Sequence, residues 1–143
     1  MILPDVNILV YAFRESAPEH RAYSTWLTMT RQRGEELLLP DAVLVGFMRI
    51  VTHPGIPSPR VPGERALAFV SALRAGPSTR EVDDVGAVWA EFDRLAAGDR
   101  GIRGHVVPDA YLAAVAISHK ARLATRDRGF ARFPGLRFFD PAA

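Results

Sequence analysis

Short apolar runs alternate along this chain with longer stretches whose apolar residues recur at helical spacing. The short runs predict buried strands at residues 2–3, 37–39, 122–125 and 136–139, and a weaker fifth strand at 80–82. Strands that alternate with helices form mainly parallel sheets covered by helices on both faces. The pattern therefore predicts an α/β fold with a mainly parallel sheet of four to five strands.

The longer stretches are bounded by proline, glycine or both, and each predicts a helix. Residues 42–51 are apolar almost all round, which predicts a well-buried helix, and Val88, Trp89, Phe92 and Leu95 are predicted to face inward. The proline-rich segment 56–63 is predicted to be an exposed loop. The predicted helices cover residues 8–13, 18–33, 42–51, 64–74, 85–97 and 111–119.

Length and composition limit the class of protein. A chain of 143 residues is the size of one domain, and we expect a single domain over residues 1–143. The absence of cysteine excludes disulfides and thiolate metal sites. No apolar run approaches the roughly 20 residues of a membrane span, and no signal peptide is recognisable at the start. We therefore expect no membrane partner and a cytoplasmic location.

The positive charge of the chain is carried almost entirely by arginine. The formal net charge is only +2, but 17 of the 18 basic residues are Arg and only Lys120 is Lys. Five of these Arg lie between Arg122 and Arg137, against the single acid Asp127. Arginine binds phosphate through two parallel hydrogen bonds, so this segment favours a polyanionic partner. A solvated, arginine-rich surface is the alternative.

Three aspartates occupy equivalent places in the predicted fold. Asp5 follows the first strand, Asp127 follows strand 122–125, and Asp109 begins the helix that leads into that strand. Ligands of open α/β sheets bind beyond the carboxyl ends of the strands, and clustered carboxylates indicate a divalent cation. Oxygen ligands favour Mg²⁺ or Mn²⁺, and such an ion beside Arg is suited to phosphodiester cleavage. Each Asp is also a good helix cap, and spacing alone does not decide between the two.

Four segments together resemble one family, the PIN-domain ribonucleases, and within it the VapC-type toxins of bacterial toxin–antitoxin systems. They are residues 5–12, 46–54, 109–114 and 125–130, and they follow in the family's order over nearly the whole chain. The resemblance implies a three-layer α/β/α sandwich. It also implies a Mg²⁺-dependent endoribonuclease, the toxin of a type II toxin–antitoxin system, with an RNA substrate, a VapB-type antitoxin and a homodimer. The family's catalytic, metal-binding acids carry over onto Asp5, Asp109 and Asp127.

The chain departs from this family at two positions. Gly46 stands where many members carry a Glu, and Gly129 stands where some carry a further Asp. Neither glycine can bind a metal ion through a side chain, so a catalytically weak PIN module that acts by binding RNA or an antitoxin is a second hypothesis. A phosphatase-like or receiver-like domain using Asp5 is a third, weakened by Asn7 at the place of a second Asp and by the position of Lys120.

Several other side chains are candidates for the surroundings of the site. Asn7 and Thr125 are candidates to hold the metal ligands or a metal-bound water by hydrogen bonds. Arg49 and Thr52 are candidates to line the pocket in place of the missing Glu, or to join a helix to a loop. Arg126 is a candidate for an RNA phosphate contact, with surface solvation as the alternative.

Overall fold

A parallel sheet of five strands forms the centre of the computed structural model, which describes residues 1–55 and 61–143. The strand order is β3-β2-β1-β4-β5, and every pairing between described strands is parallel. The predicted sheet is therefore confirmed. The strands are β1 (Ile2–Pro4), β2 (Leu37–Leu38), β3 (Thr79–Arg80), β4 (Arg122–Ala124) and β5 (Phe138–Phe139).

Six α-helices and one 3₁₀ helix surround the sheet in the described part of the chain. The chain moves outward from β1 to β3 and then crosses back to β4, and right-handed crossovers place the helices of the two directions on opposite faces. The result is the three-layer α/β/α sandwich. The helices are α1 (Val6–Phe13), α2 (His20–Gln32), α3 (Asp41–Val51), α4 (Gly63–Arg74), α5 (Val85–Gly98) and α6 (Val106–Ser118), with the 3₁₀ helix at Arg128–Arg132.

The core lies between the central strands and the helices on either side. Leu3, Leu38 and Leu123, one from each of the three central strands, are fully buried. Helix α6 packs on α5 and β4 through small side chains that are buried almost all round, as its sequence predicts. Pro4 ends β1, where the missing N–H costs least, and the next residue, Asp5, donates its N–H to the carbonyl of Ala124 across 2.9 Å. The core thus holds Asp5 at the junction of β1 and β4.

Two predictions of burial are wrong. Val45 is 66% exposed, because α3 buries only the stripe formed by Val43, Leu44, Phe47 and Val51. Trp89 is 50% exposed on the outer side of α5, where its ring lies against Phe92 and Tyr111. The sequence pattern shows that a helical position is apolar, but it does not show whether that side chain packs in the core or lies on the surface.

Several boundaries also differ from the predictions. The third strand is Thr79–Arg80 rather than 80–82, and α6 begins at Val106 rather than after Asp109. Residues 56–60 of the predicted loop lie outside the described residues, and Gly63 already belongs to α4. Among the described helices, none has both the length and the apolar character needed to cross a membrane.

Candidate active site

Asp5 joins the end of β1 to the start of α1. Its Oδ1 accepts a hydrogen bond of 2.7 Å from the N–H of Val6, and its Oδ2 accepts one of 2.8 Å from the hydroxyl of Thr125. The side chain is 8% exposed. The capping role is therefore real, but it does not exclude a second one, because each carboxylate oxygen can accept further bonds.

Thr125 connects Asp5 to Asp127. The Thr125 side chain is buried, and while its hydroxyl donates to Asp5, its Oγ1 accepts a 3.0 Å hydrogen bond from the backbone N–H of Asp127. Asp127 is itself exposed and caps the 3₁₀ helix, where Oδ1 accepts from the N–H of Gly129 at 2.7 Å. One threonine thus fixes the carboxylate after β1 and the backbone after β4.

Asp109 approaches from α6, on the other layer of helices. It lies in the first turn of this helix, three residues after Val106, and is half-buried. The expectation that it begins or caps the helix is therefore wrong. Because the helix starts earlier, His105 and Asp109 are four residues apart at its beginning, which is the spacing of neighbours on one helix face.

The charge of one of these carboxylates affects the pKa of another. Burial raises the pKa of Asp5, the hydrogen bonds from Thr125 and Val6 oppose that rise, and the charge of Asp127 adds to it. Asp5 and Asp127 thus affect each other at the carboxyl edge of the sheet, and the assignment of Asp5, Asp109 and Asp127 to one site stays a prediction.

The pKa of Asp109 is also raised above its ordinary value. Burial raises it most, and the charges of Asp5 and Asp127 raise it further, whereas His105 and Arg132 lower it. A cation between these groups would relieve the repulsion. His105 and Arg132 were missed at the sequence level; His105 would have been found had the helix start been placed correctly, but nothing in the local sequence points to Arg132.

The donor set fits a hard divalent cation. The three carboxylates offer only oxygen atoms, which are the ligands that Mg²⁺ and Mn²⁺ prefer. As the side chains stand in residues 1–55 and 61–143, no three His, Asp or Glu groups converge closely enough to hold one ion by themselves. Mg²⁺ usually takes one or two carboxylates and keeps several waters, so direct binding by all three is not required.

Three further candidates from the sequence, Asn7, Arg49 and Thr52, make no hydrogen bond to the three aspartates. Asn7 is exposed on α1, and its side chain makes no hydrogen bond to a described residue. Arg49 is exposed on α3. The hydroxyl of Thr52 donates to the carbonyl of Met48 at 2.6 Å, so it is used within the helix end and not in the pocket.

Arg126 is held by its own chain. Its Nη1 donates to Oε1 of Glu19 at 2.9 Å, and its guanidinium carbon lies 5.4 Å from the centre of the Tyr11 ring. Tyr11 in turn stacks on Tyr23, whose hydroxyl donates to Asp140 at 2.8 Å. Since Glu19 and Arg126 are 107 residues apart in the sequence, no local signal predicted this pair.

Gly46 faces the start of α1. A Cβ at this position would lie 3.1 Å from Cγ2 of Val6, the residue next to Asp5. The glycine therefore lets α3 approach α1 closely, beside the carboxyl edge. The close packing of the two helices thus accompanies the replacement of the usual Glu by Gly46.

The comparisons with known proteins decide the family. The family model described as the PIN domain matches residues 2–136. The chain belongs to the PIN-domain family. This PIN domain is 38% identical over 141 residues to a VapC ribonuclease of Mycobacterium bovis, covering 99% of the chain and 95% of that relative. It is 33% identical over 144 residues to the ribonuclease VapC31 of Mycobacterium tuberculosis, covering 99% of each.

Solved structures show the same fold. VapBC2 from Rickettsia felis, bound to a DNA fragment from its promoter, contains a chain that aligns with a TM-score of 0.72 and 19% identity, over 98% of each chain. VapC20 from Mycobacterium tuberculosis, described as a toxin that cleaves the sarcin–ricin loop, aligns with a TM-score of 0.66 and 16% identity, over 96% of this chain and 99% of that one. The resemblance to VapC proteins is confirmed, and the phosphatase-like or receiver-like hypothesis is set aside.

Proposed function

We propose that this PIN domain is a metal-dependent endoribonuclease and the toxin of a type II toxin–antitoxin system. The observation that carries the proposal is that Thr125 joins Asp5 to Asp127 at the carboxyl edge of the sheet, where the charges of both carboxylates act on Asp109. The proposal is supported by relatives that are named ribonucleases and share almost the whole length of the chain.

In this proposal, Asp5, Asp109 and Asp127 hold Mg²⁺ or Mn²⁺, which, once bound, lowers the pKa of a water and neutralises charge on the phosphate. The chain's own groups prepare the site. Thr125 and the N–H of Val6 orient the carboxylate of Asp5, and the backbone of Asp127 is tied to the same threonine. These bonds hold Asp5 in one orientation, which reduces the cost of arranging it during the reaction.

The proposed partners are an RNA substrate, a VapB-type antitoxin and a second copy of the chain. Support for an antitoxin comes from the similar structures, which include VapBC assemblies from Rickettsia felis, Salmonella typhimurium and Haemophilus influenzae. The arginine-rich segment after β4 suits a polyanion. Within it, Arg126 is engaged with Glu19 and Arg132 with Asp99, whereas exposed Arg128 forms no ion pair with a described residue and is the better candidate for RNA.

A cleavage assay tests the proposal. Antitoxin-free protein is incubated with RNA and Mg²⁺ or Mn²⁺, with EDTA in a parallel reaction, and the variants Asp5→Asn, Asp109→Asn and Asp127→Asn are compared. Asp93→Asn, at an exposed position of α5, is the matched control. We expect cleavage only with metal, and a loss in the three site variants but not in the control. Cleavage by Asp5→Asn at the unaltered rate, or cleavage in EDTA, contradicts the proposal.

Gly46 favours a second candidate, a catalytically weak module that binds RNA or an antitoxin. A native-state ligand at 100 times its dissociation constant stabilises a protein by about 2.7 kcal/mol, so metal binding is visible in thermal unfolding. If Mn²⁺ leaves the unfolding temperature unchanged while RNA raises it, this second function replaces the first.

A further inference from the structure

An ion pair connects the two segments that lead to Asp109 and Asp127. Asp99 begins the loop that follows α5 and leads into α6, and Arg132 is the last residue of the 3₁₀ helix. Two nitrogens of Arg132, Nε and Nη2, each lie 3.0 Å from Oδ2 of Asp99. The two residues are 33 positions apart, so the pair joins segments that are distant in the sequence. We call this ion pair the loop clamp.

Asp99 also holds its own loop in place. Its Oδ1 accepts a hydrogen bond of 2.8 Å from the N–H of Gly101. The loop ends where α6 begins at Val106, three residues before Asp109. Both oxygens of one carboxylate are therefore in use, one on the loop that leads to α6 and the other on Arg132.

The second side of the loop clamp is anchored in the core. Phe130 and Phe133 lie on either side of Arg132 in the sequence and are both buried, with their rings 5.8 Å apart. Asp127 caps the other end of the same short helix by accepting from the N–H of Gly129. A 3₁₀ helix rises about 2 Å per residue, so Arg132 lies about 10 Å along this element from Asp127. The position of Arg132 is therefore fixed relative to Asp127.

Asp109 has no direct bond to the other two aspartates. Thr125 joins Asp5 to Asp127, but among the described residues no hydrogen bond joins the Asp109 side chain to either of them. The positive charge of Arg132 opposes the rise that burial causes in the pKa of Asp109, so the guanidinium lies near this carboxylate. The loop clamp thus supplies a connection to Asp109 that Thr125 does not.

Gly101 makes the loop clamp sensitive to a single added carbon. A Cβ at this position would overlap with Nη2 of Arg132 and would lie 2.9 Å from Oδ1 of Asp99. The guanidinium is the far end of a flexible side chain, and an open depression of about 220 Å³ borders it. Gly101→Ala therefore displaces Arg132 at little cost in stability.

We propose that Asp99 is a positioning residue of the active site: through Arg132, its carboxylate holds the start of α6, and with it Asp109, against the segment that Asp127 caps. The inference rests on the proposed function, because it concerns the same three aspartates. Partly exposed ion pairs add little to stability, whereas a displacement of about 1 Å at a catalytic centre can lower the rate about a hundredfold. The effect of the loop clamp is therefore expected in catalysis rather than in stability.

Cleavage kinetics test the function of the loop clamp. Asp99→Asn and Arg132→Gln each remove one partner, and Gly101→Ala displaces the arginine. Gly98→Ala, whose Cβ would have nothing within 4 Å, is the matched control. With Mg²⁺ or Mn²⁺ we expect kcat to fall about 10–100-fold in the first three variants, with KM little changed. Asp99→Asn combined with Arg132→Gln should be no worse than the weaker single variant, because both remove the same pair.

A direct role of Arg132 in RNA binding would give a different result. If Arg132→Gln raises KM and reduces the salt dependence while Asp99→Asn leaves kcat unchanged, the arginine binds a phosphate itself and the proposal is overturned. Equal kcat values for Gly101→Ala and Gly98→Ala overturn it as well.

Amide hydrogen exchange of the metal-free protein tests the loop clamp without any activity. The N–H groups of Val106 and Val107 bond to carbonyls of the loop that Asp99 holds. We expect both amides to exchange several-fold faster in Asp99→Asn and Gly101→Ala than in the parent and in Gly98→Ala, while the unfolding temperatures stay close together.

The exchange rates separate two kinds of failure. Unchanged exchange in Asp99→Asn and Gly101→Ala overturns the proposal, whatever the nuclease assay shows. A parent that cleaves no RNA with either metal refutes the proposed function, and the exchange rates then decide on the loop clamp alone.

Discussion

The hydroxyl of Thr125 donates a hydrogen bond of 2.8 Å to Oδ2 of Asp5, although the two residues are 120 positions apart. The bond joins the ends of the neighbouring strands β1 and β4, at the carboxyl edge of the sheet. Since the same threonine also accepts from the N–H of Asp127, a single buried oxygen sets the geometry between two of the three aspartates.

Removing this hydroxyl is expected to weaken the site. Thr125→Val keeps the shape of the side chain but leaves Oδ2 of Asp5 without its donor and the N–H of Asp127 without its acceptor. Loss of such an outer hydrogen-bond partner costs metal affinity or activity about 10–100-fold. A buried polar group left unpaired also costs about 1–3 kcal/mol of stability. Mn²⁺ titration and thermal unfolding measure both effects. Thr125→Ser, which keeps the hydroxyl, is the control, and a valine variant that behaves like it contradicts the assignment.

Asp5 is expected to lower the stability of the metal-free protein at neutral pH. Folding raises the pKa of this carboxyl from its ordinary value of 3.8, so the folded state favours the protonated form. The free energy of unfolding therefore falls as the pH rises from below 3.8 through the folded-state pKa, and the loss is complete above it. Asp5→Asn removes the charge and should unfold at a higher temperature than the parent at pH 7 in EDTA, with a difference that disappears in acid.

The same comparison has a clear contrary outcome. If Asp5→Asn unfolds at a lower temperature than the parent at pH 7, the hydrogen bonds to the carboxylate outweigh the cost of burying it. Added Mn²⁺ should reverse the order, because only the parent retains the carboxylate at position 5. Asp93→Asn, far along α5, should follow the parent throughout.

Arg126 is expected to stabilise the fold by its ion pair with Glu19 and not to bind RNA. Arg126→Gln and Glu19→Gln each break the 2.9 Å ion pair, so each should lower the unfolding temperature slightly, and the double variant should lower it by less than the sum. Kinetic assays at several salt concentrations separate this role from phosphate binding. If Arg126→Gln raises KM and reduces the salt dependence while Glu19→Gln does neither, the arginine contacts RNA after all.

Gly46 is expected to be coupled to Val6. A Cβ at position 46 would lie 3.1 Å from Cγ2 of Val6, so Gly46→Ala crowds the contact between α3 and α1. Overpacking costs about 1–3 kcal/mol, and replacing a mid-helix glycine by alanine returns about 0.5–1 kcal/mol. The single variant should therefore be destabilised. In a Val6→Ala background the crowding is absent, and the same change should stabilise the protein. Denaturant unfolding of all four proteins measures the coupling, and additive effects would show that the contact is not tight.

The sequence by itself determined the order of the strands and helices, the parallel sheet and the three aspartates at its carboxyl edge. These features depend on local periodicity, on proline and glycine at the boundaries, and on the rule that parallel strands end at one edge. It also made Thr125 a candidate to hold a metal ligand by a hydrogen bond, and the structure shows its hydroxyl donating to Asp5.

The tertiary structure decided what local patterns do not contain. Helix α6 begins three residues before Asp109, which places that carboxylate inside a turn beside His105. The ion pair of Arg126 with Glu19 joins residues 107 positions apart, and the exposure of Val45 depends on which helix faces receive a neighbour. Each of these depends on which distant segments meet in the folded chain, and hydrophobic periodicity carries no information about that choice.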